Sequence, residues 1–349
     1  MPKVGIVRHP IYIQHDPGYY HPESPDRLRA IYMMLEQEKL VERLKLIDIA
    51  ARKAAKDEVA WVHDPRYIDI IASTEGKPYV RLDPDTSTSP ESYEAALMAV
   101  GGLINATKAA FEGTVDRAFA LVRPPGHHAE RDRAMGFCLF NNVAIAAEYA
   151  LKKLSAKRVA IIDWDLHHGN GTQHSFYTRS DVLYMSTHQY PYYPGTGANY
   201  EMGEGEGEGF TVNVPLSSNH GDAEYIAIFE EIFKPIILEY APDIILLSAG
   251  FDIYEFDPLG GMKVTASGFG QLTRVLLEAA EKICNGKLVA TLEGGYDLGG
   301  LTQGVKAVLE MMAIEPSKRE RNAPTLSRSA AMEIQNVKKV FKNYWKIFA

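Results

Sequence analysis

The feature that most constrains this chain is a set of short, almost continuously apolar runs, each ending in a polar cluster. RVAIIDWD (158–165), DIILLSAG (243–250) and KLVATLEGG (287–295) are the clearest. A strand with one wet face alternates apolar and polar residues, whereas a run that is apolar throughout suits a parallel strand covered on both faces. Val4–His9, Ala118–Arg123, Val182–His188 and Phe210–Leu216 read as strands by the same reasoning. Helical patterns separate them. Pro25–Glu38 opens after Ser24, Pro90–Phe111 has Ser89 as N-cap, and Asn141–Leu154, Ala223–Tyr240 and Ala266–Ile283 follow. Such alternation predicts a three-layer α/β fold whose central, mainly parallel sheet has about eight strands. No long linker or internal repeat divides the chain, so one domain over 1–349 is expected.

Composition excludes several functions. With 37 Lys+Arg against 45 Asp+Glu the net charge is −8, so no basic field is available to hold nucleic acid directly. Two cysteines, Cys138 and Cys284, are too few for a disulfide framework and point to a reducing cytoplasm. MPKVGIVRHP lacks the apolar run of a signal peptide, and no segment approaches the roughly 18 apolar residues of a membrane span.

In open parallel sheets, ligands bind beyond the carboxyl ends of the strands. LVRPPGHH, IIDWDLHHGNG, LLSAGFD and TLEGGY all place His, Asp or Tyr directly after an apolar run. Asp165 and His167 are two residues apart, so on leaving an extended strand they project to one side. A lone D-x-H is more often an N-cap followed by surface histidines. Asp252, at the end of a separate strand, shifts the balance toward an open Asp–His–Asp site suited to zinc, or to iron(II) or cobalt(II). Adjacent histidines such as His127 and His128 usually mark a solvated turn, but beside a metal site a general acid–base role is the better reading. Tyr296 follows a glycine pair expected to be flexible, and its phenol suits donation to a developing oxyanion.

RPPGHHAE, GFCLFNN, DWDLHHGNGTQ, YYPGTG, AGFDIYEFDPLGG and LEGGY occur in that order. Together they resemble the zinc-dependent histone deacetylase family, including its prokaryotic amidohydrolase members, from about His9 to Leu309. Asn170 and Glu293 are similar to the class II branch, since class I members typically carry Asp and Gly there. The resemblance implies an arginase/deacetylase-type fold and removal of acetyl or other acyl groups from lysine side chains of proteins or peptides. It implies one zinc per chain, or Fe2+ in its place, on Asp165, His167 and Asp252. His128 would be general base and acid, His127 its electrostatic partner oriented by Asp163, and Asn170 would hold His128. Tyr296 would stabilise the oxyanion. Gly136, Phe137, Tyr193 and Leu259 would wall the acyl-lysine tunnel, Asp85 would grip the substrate backbone at its rim, Gly295 would join the substrate-binding residues, and Arg27 would line the family's internal channel. Structural potassium would sit on Asp163, Asp165, His167, Ser186 and Thr187, and again on backbone of Phe176, Arg179, Val182 and Phe210.

Rival readings are an acetylpolyamine deacetylase, an arginase-like binuclear hydrolase and an inactive acyl-lysine-binding module. Polyamine-selective relatives place a carboxylate where this chain has apolar Leu259, which here predicts a wide, apolar mouth that admits a peptide. Binuclear enzymes need a D-x-H-x-D and a D-x-D, but Gly169 and Tyr254 stand where the last Asp of each belongs. Intact Tyr296 and the histidine pair argue against an inactive module. The acidic EMGEGEGEG (201–209) reads as a flexible solvated loop. Ala331–Phe348 reads as an amphipathic helix that packs on its own domain or on a neighbouring subunit of a homo-oligomer, rather than on a membrane.

Overall fold

The computed structural model describes residues 2–320, 326 and 328–349. Its sheet has eight strands: β1 (Val4–Val7), β2 (Ile47–Asp48), β5 (Arg117–Ala120), β6 (Val159–Asp163), β7 (Val182–Gln189), β8 (Thr211–Leu216), β9 (Ile244–Ala249) and β10 (Leu288–Leu292). Two short strands, β3 (Val80–Arg81) and β4 (Ser87–Thr88), form a separate antiparallel ribbon. The large sheet runs β2-β1-β5-β10-β9-β6-β7-β8, and each of its pairings is parallel. Every residue of β1, β5, β6, β9 and β10 is buried, which is the physical reason their sequences show no alternation.

The strand order positions the site. After β5 the chain skips two places to lay down β6, then returns to fill the gap with β9 and β10. The reversal opens a crevice at the carboxyl ends of these four central strands, the usual ligand position in such sheets. β2 is two exposed residues at the sheet edge, so it lacks the apolar run that marks the other seven.

The expected helices form at Asp26–Gln37, Ser92–Phe111, Asn142–Lys153 and Ala266–Ile283. The Ser92 helix starts later than the Ser89–Pro90 reading, because Ser92 Oγ accepts the Ser89 N–H at 2.7 Å and ties Pro90 and Glu91 into a turn. The 223–240 pattern is two helices, Asp222–Ile228 and Lys234–Tyr240, joined by a π turn, Phe229–Phe233, directly ahead of Pro235. A long helix at Leu298–Ala313 went unread because LGGLTQG looks like a loop. Asp297 caps it, accepting the Gly300 N–H at 2.6 Å.

The helix Arg328–Phe341 and the turn after it lie along β8, the far edge strand. Ile334, Val337, Phe341 and Trp345 are buried there, and Trp345 Nε1 donates to Gly209 O at 3.2 Å. The acidic loop they meet has Glu204, Glu206 and Glu208 exposed, as a solvated loop would, but it is anchored where it begins. Glu201 carboxylate oxygens accept from the N–H groups of Gly197 (3.0 Å) and Ala198 (3.1 Å) and from Gln173 Nε2 (2.7 Å). No helix among the described residues is long and apolar enough to cross a membrane.

Candidate active site

Four strand ends supply the site: 123–128 after β5, 163–170 after β6, 251–259 after β9 and 293–297 after β10. Asp165, His167 and Asp252 offer ligand atoms that all lie within 4.8 Å of one another, the one such His/Cys/Asp/Glu group among the described residues. His167 Nδ1 is 3.1 Å from Asp252 Oδ2 and 3.3 Å from Asp165 Oδ1. The other carboxylate oxygens are held by backbone: Asp165 Oδ2 accepts the Gly294 N–H at 2.8 Å, and Asp252 Oδ1 the Leu166 N–H at 2.9 Å. Burial and the charge of Asp165 push the Asp252 carboxyl up to about 7. Two buried carboxylates converging on one imidazole need a cation, and this donor set fits a single zinc or iron(II) ion. A second metal does not fit: a Cβ on Gly169 would lie 2.3 Å from Asp163 Oδ2, so no aspartate side chain can start there.

The adjacent histidines, with rings 4.0 Å apart, are in opposite electrostatic states. Burial disfavours charge on His127, but Asp165 and Asp163 overcome it and raise its pKa to about 10. Its Nδ1 lies 3.0 Å from Asp163 Oδ2, which also accepts the Tyr184 hydroxyl at 3.2 Å. Burial, with His127 and His167 beside it, holds His128 well below the usual histidine value, and Asn170 Oδ1 lies 2.8 Å from its Nδ1. One imidazole is a fixed positive charge, the other a neutral base.

Tyr296 is not presented by flexible glycines. Arg27 Nε donates to Gly295 O at 2.7 Å and Arg27 Nη2 to Glu293 O at 2.5 Å, while Asp257 Oδ2 accepts the Tyr296 N–H at 2.6 Å. Burial and the Asp252 charge raise the Tyr296 pKa well above the usual value, so it remains a phenol donor. Arg27 is itself held by Glu23 Oε1 (3.0 Å), and Arg123 Nη2 also donates to Glu23 (2.8 Å). Arg27 and Gly295 therefore lie behind Tyr296, and neither lines the cavity in front of it.

That cavity, about 90 Å³, is lined by His128, His167 and Tyr296 together with Gly136, Phe137, Tyr193, Leu259 and Asp85. The Phe137 ring stands edge-on to Tyr296 at 5.9 Å, and Tyr193 edge-on to His128 at 5.2 Å. Gly136 has φ +57°, and a Cβ there would lie 2.3 Å from the His128 ring. Apolar Leu259 stands on the cavity wall as expected, and Tyr193 and Asp85 bring polar atoms to the same lining. Asp85 Oδ1 accepts the Gly136 N–H at 3.1 Å, so the rim carboxylate and the tunnel wall are one unit.

The residues of the first potassium reading gather at the ends of β6 and β7, where Asp163 pairs with Ser186 and the buried Thr187 hydroxyl has no protein partner. Of the second, Phe176, Arg179 and Val182 follow the turn from the helix Asn170–Phe176 into β7, and Phe210 lies just before β8. The carbonyls of Phe176 and Phe210 there accept from the N–H groups of Arg179 (3.0 Å) and Tyr184 (2.9 Å). Three buried acids escaped the sequence reading of roles: Glu23, Asp257 and Glu293. Glu293 accepts the N–H groups of Gly126 (2.6 Å) and His127 (3.2 Å) and the Ser248 hydroxyl (3.0 Å). Their only signal was membership of HPESPDR, FDPLGG and LEGGY.

An eight-stranded parallel sheet of this order, with the acid–imidazole cluster at its central crevice, defines the arginase/deacetylase fold class. The histone deacetylase domain matches residues 21–312. A probable deacetylase of Archaeoglobus fulgidus is 38% identical over 99% of both chains. Histone deacetylase HDA1 of Candida albicans is 40% identical over 94% of this chain but only 41% of its own length. The crystal structure of the HDA15 HD domain superposes with a TM-score of 0.93 at 37% identity, covering 99% of this chain and 96% of that one. The chain belongs to the histone deacetylase family.

Proposed function

We propose that the protein is a zinc-dependent deacylase of acyl-lysine side chains in proteins or peptides, built as one domain and working in the cytoplasm. Acetylpolyamines are its secondary substrates. One observation carries the reading: the neutral His128 and the Tyr296 phenol line the same small cavity as His167 of the Asp165–His167–Asp252 group.

Asp165, His167 and Asp252 would hold the zinc, which when bound would supply Lewis acidity toward the amide oxygen and toward the attacking water. His128 takes a proton from that water and returns it to the departing lysine amine. His127, held cationic by Asp163 and Asp165, offsets the negative charge that develops nearby. The Tyr296 O–H donates to the amide oxygen as it gains charge. Gly136, Phe137, Tyr193 and Leu259 exclude water from the acyl-lysine stem, and Asp85 accepts from the substrate's backbone amides. Asp163, Asp165, His167, Ser186 and Thr187 would hold a structural potassium ion, whose charge would offset that of the buried carboxylates.

The apolar Leu259 favours a peptide over a polyamine, since it offers no charge to a second cationic nitrogen, and Asp85, the acid that does line the cavity, is engaged with the Gly136 N–H. The test is kcat/KM for an acetyl-lysine peptide against N-acetylputrescine and N8-acetylspermidine in one buffer, with and without a strong chelator. The peptide is expected to win and the chelator to abolish turnover. A polyamine ahead by about tenfold or more would overturn the substrate class, and chelator-resistant turnover the metal.

A further inference from the structure

Asn170 is a neutral amide holding a base, and an amide can face His128 with either end. The structure decides which. Asn170 Nδ2 lies 2.6 Å from Glu130 Oε1 and 3.3 Å from the His128 carbonyl oxygen. Both partners are acceptors, so that end is the NH2. The opposite end, Oδ1, is 2.8 Å from His128 Nδ1 and can only accept, so Nδ1 carries the hydrogen. A neutral imidazole has one N–H, which leaves the Nε2 lone pair for the cavity. A turned amide would set its oxygen against the Glu130 carboxylate and its NH2 against Nδ1. That would drive the proton to Nε2, where His128 is no longer a base.

We propose that Glu130 is a positioning residue that fixes the tautomer of His128 through Asn170. The proposal rests on the deacylase reading of the same site and assigns a role to two groups outside the cavity. Glu130 is 8% exposed and is braced in turn by His174 Nδ1, at 2.9 and 3.1 Å from its two oxygens. The His174 side chain is 48% exposed, so the network runs from the base to the surface. Two short segments build it: Glu130 stands two residues after His128, and His174 stands four after Asn170, one turn along the helix Asn170–Phe176. An aspartate at 170 would need no such brace, because either of its oxygens accepts.

The experiment combines 15N NMR of histidine-labelled, zinc-loaded protein with kinetics on an acetyl-lysine peptide, the His128 signals being assigned by their loss in His128→Gln. Wild type should show hydrogen on Nδ1 and none on Nε2. Glu130→Ala should mix the tautomers and lower kcat by about tenfold or more with KM nearly unchanged, while Glu130→Gln, whose carbonyl still accepts, loses less. Asn170→Asp alone sets two carboxylates in contact and should also lower kcat. The double variant Glu130→Ala/Asn170→Asp should recover above both single variants. A wild-type His128 protonated on Nε2, or a double-variant loss equal to the product of the single losses, overturns the proposal. If wild type turns over neither the peptide nor an acetylpolyamine, the deacylase reading falls, and the tautomer measurement still decides the role of Glu130.

Discussion

His127 and His128 share a peptide bond but face different partners, a carboxylate on one side and an amide on the other. That difference assigns their work. His128→Ala should abolish turnover of an acetyl-lysine peptide, whereas His127→Ala should leave a measurable residue because its contribution is electrostatic. Steady-state assays of both variants check this, and equal residual rates would refute the division of roles. Tyr296 acts mainly as charge develops. Tyr296→Phe should cut kcat by about 10²–10³ while the affinity for a competitive ligand changes much less. A near-normal kcat in that variant would remove the phenol from the mechanism.

Loops at strand ends need bracing, and here buried ion pairs provide it. Glu23 joins the segment before the helix Asp26–Gln37 to Arg27 and, after β5, to Arg123, with none of the three exposed. Removing one member leaves an uncompensated buried charge, so Glu23→Gln should destabilise the protein by about 3–5 kcal/mol at pH 7, measured by denaturant unfolding. Burial opposes ionisation of Glu23, yet Arg123 and His15 hold its carboxyl well below the ordinary glutamate value. The sign follows: a depressed folded value gives stability that is present above the unfolded value and lost as pH falls through the folded one. Unfolding free energy measured from pH 6 downward should therefore fall less steeply in Glu23→Gln than in wild type. At the opposite edge, Trp345 packs on Phe210 and Tyr240 and shields β8. Trp345→Ala should cost about 3 kcal/mol and expose that edge, raising the tendency to associate on light scattering.

For the whole molecule, the geometry leaves room for one transition metal. Elemental analysis of protein purified without chelator should find about one zinc or iron per chain, and an anomalous map showing two such ions a few Å apart would restore the binuclear reading. Charge acts at the same scale. At a net charge of −8 the protein should bind a cationic acylated peptide faster at low salt, because the long-range field is screened within about 10 Å at 0.1 M. A rate of association independent of ionic strength would exclude that steering.

The sequence by itself determined the strands, because burial on both faces leaves a pattern that depends only on neighbours along the chain. Runs such as IIDWD and IILLSAG could be read without knowing what packs on them. It also placed Asp165, His167 and Asp252 after strand ends, since spacing and strand termini are local properties. The tertiary structure alone decided what depends on distant partners. β2 is defined by pairing with β1, the glycines before Tyr296 are stiffened by Arg27, 268 residues away, and Trp345 docks on the end of the acidic loop at Gly209. The meeting of Asp85 and Tyr193 in one cavity was decided in the same way, because they reach it from separate loops. Glu130 shows the limit most clearly. Its position beside the histidines is plain in the sequence, but only the fold brings Asn170 between them and turns a surface-type residue into part of the site.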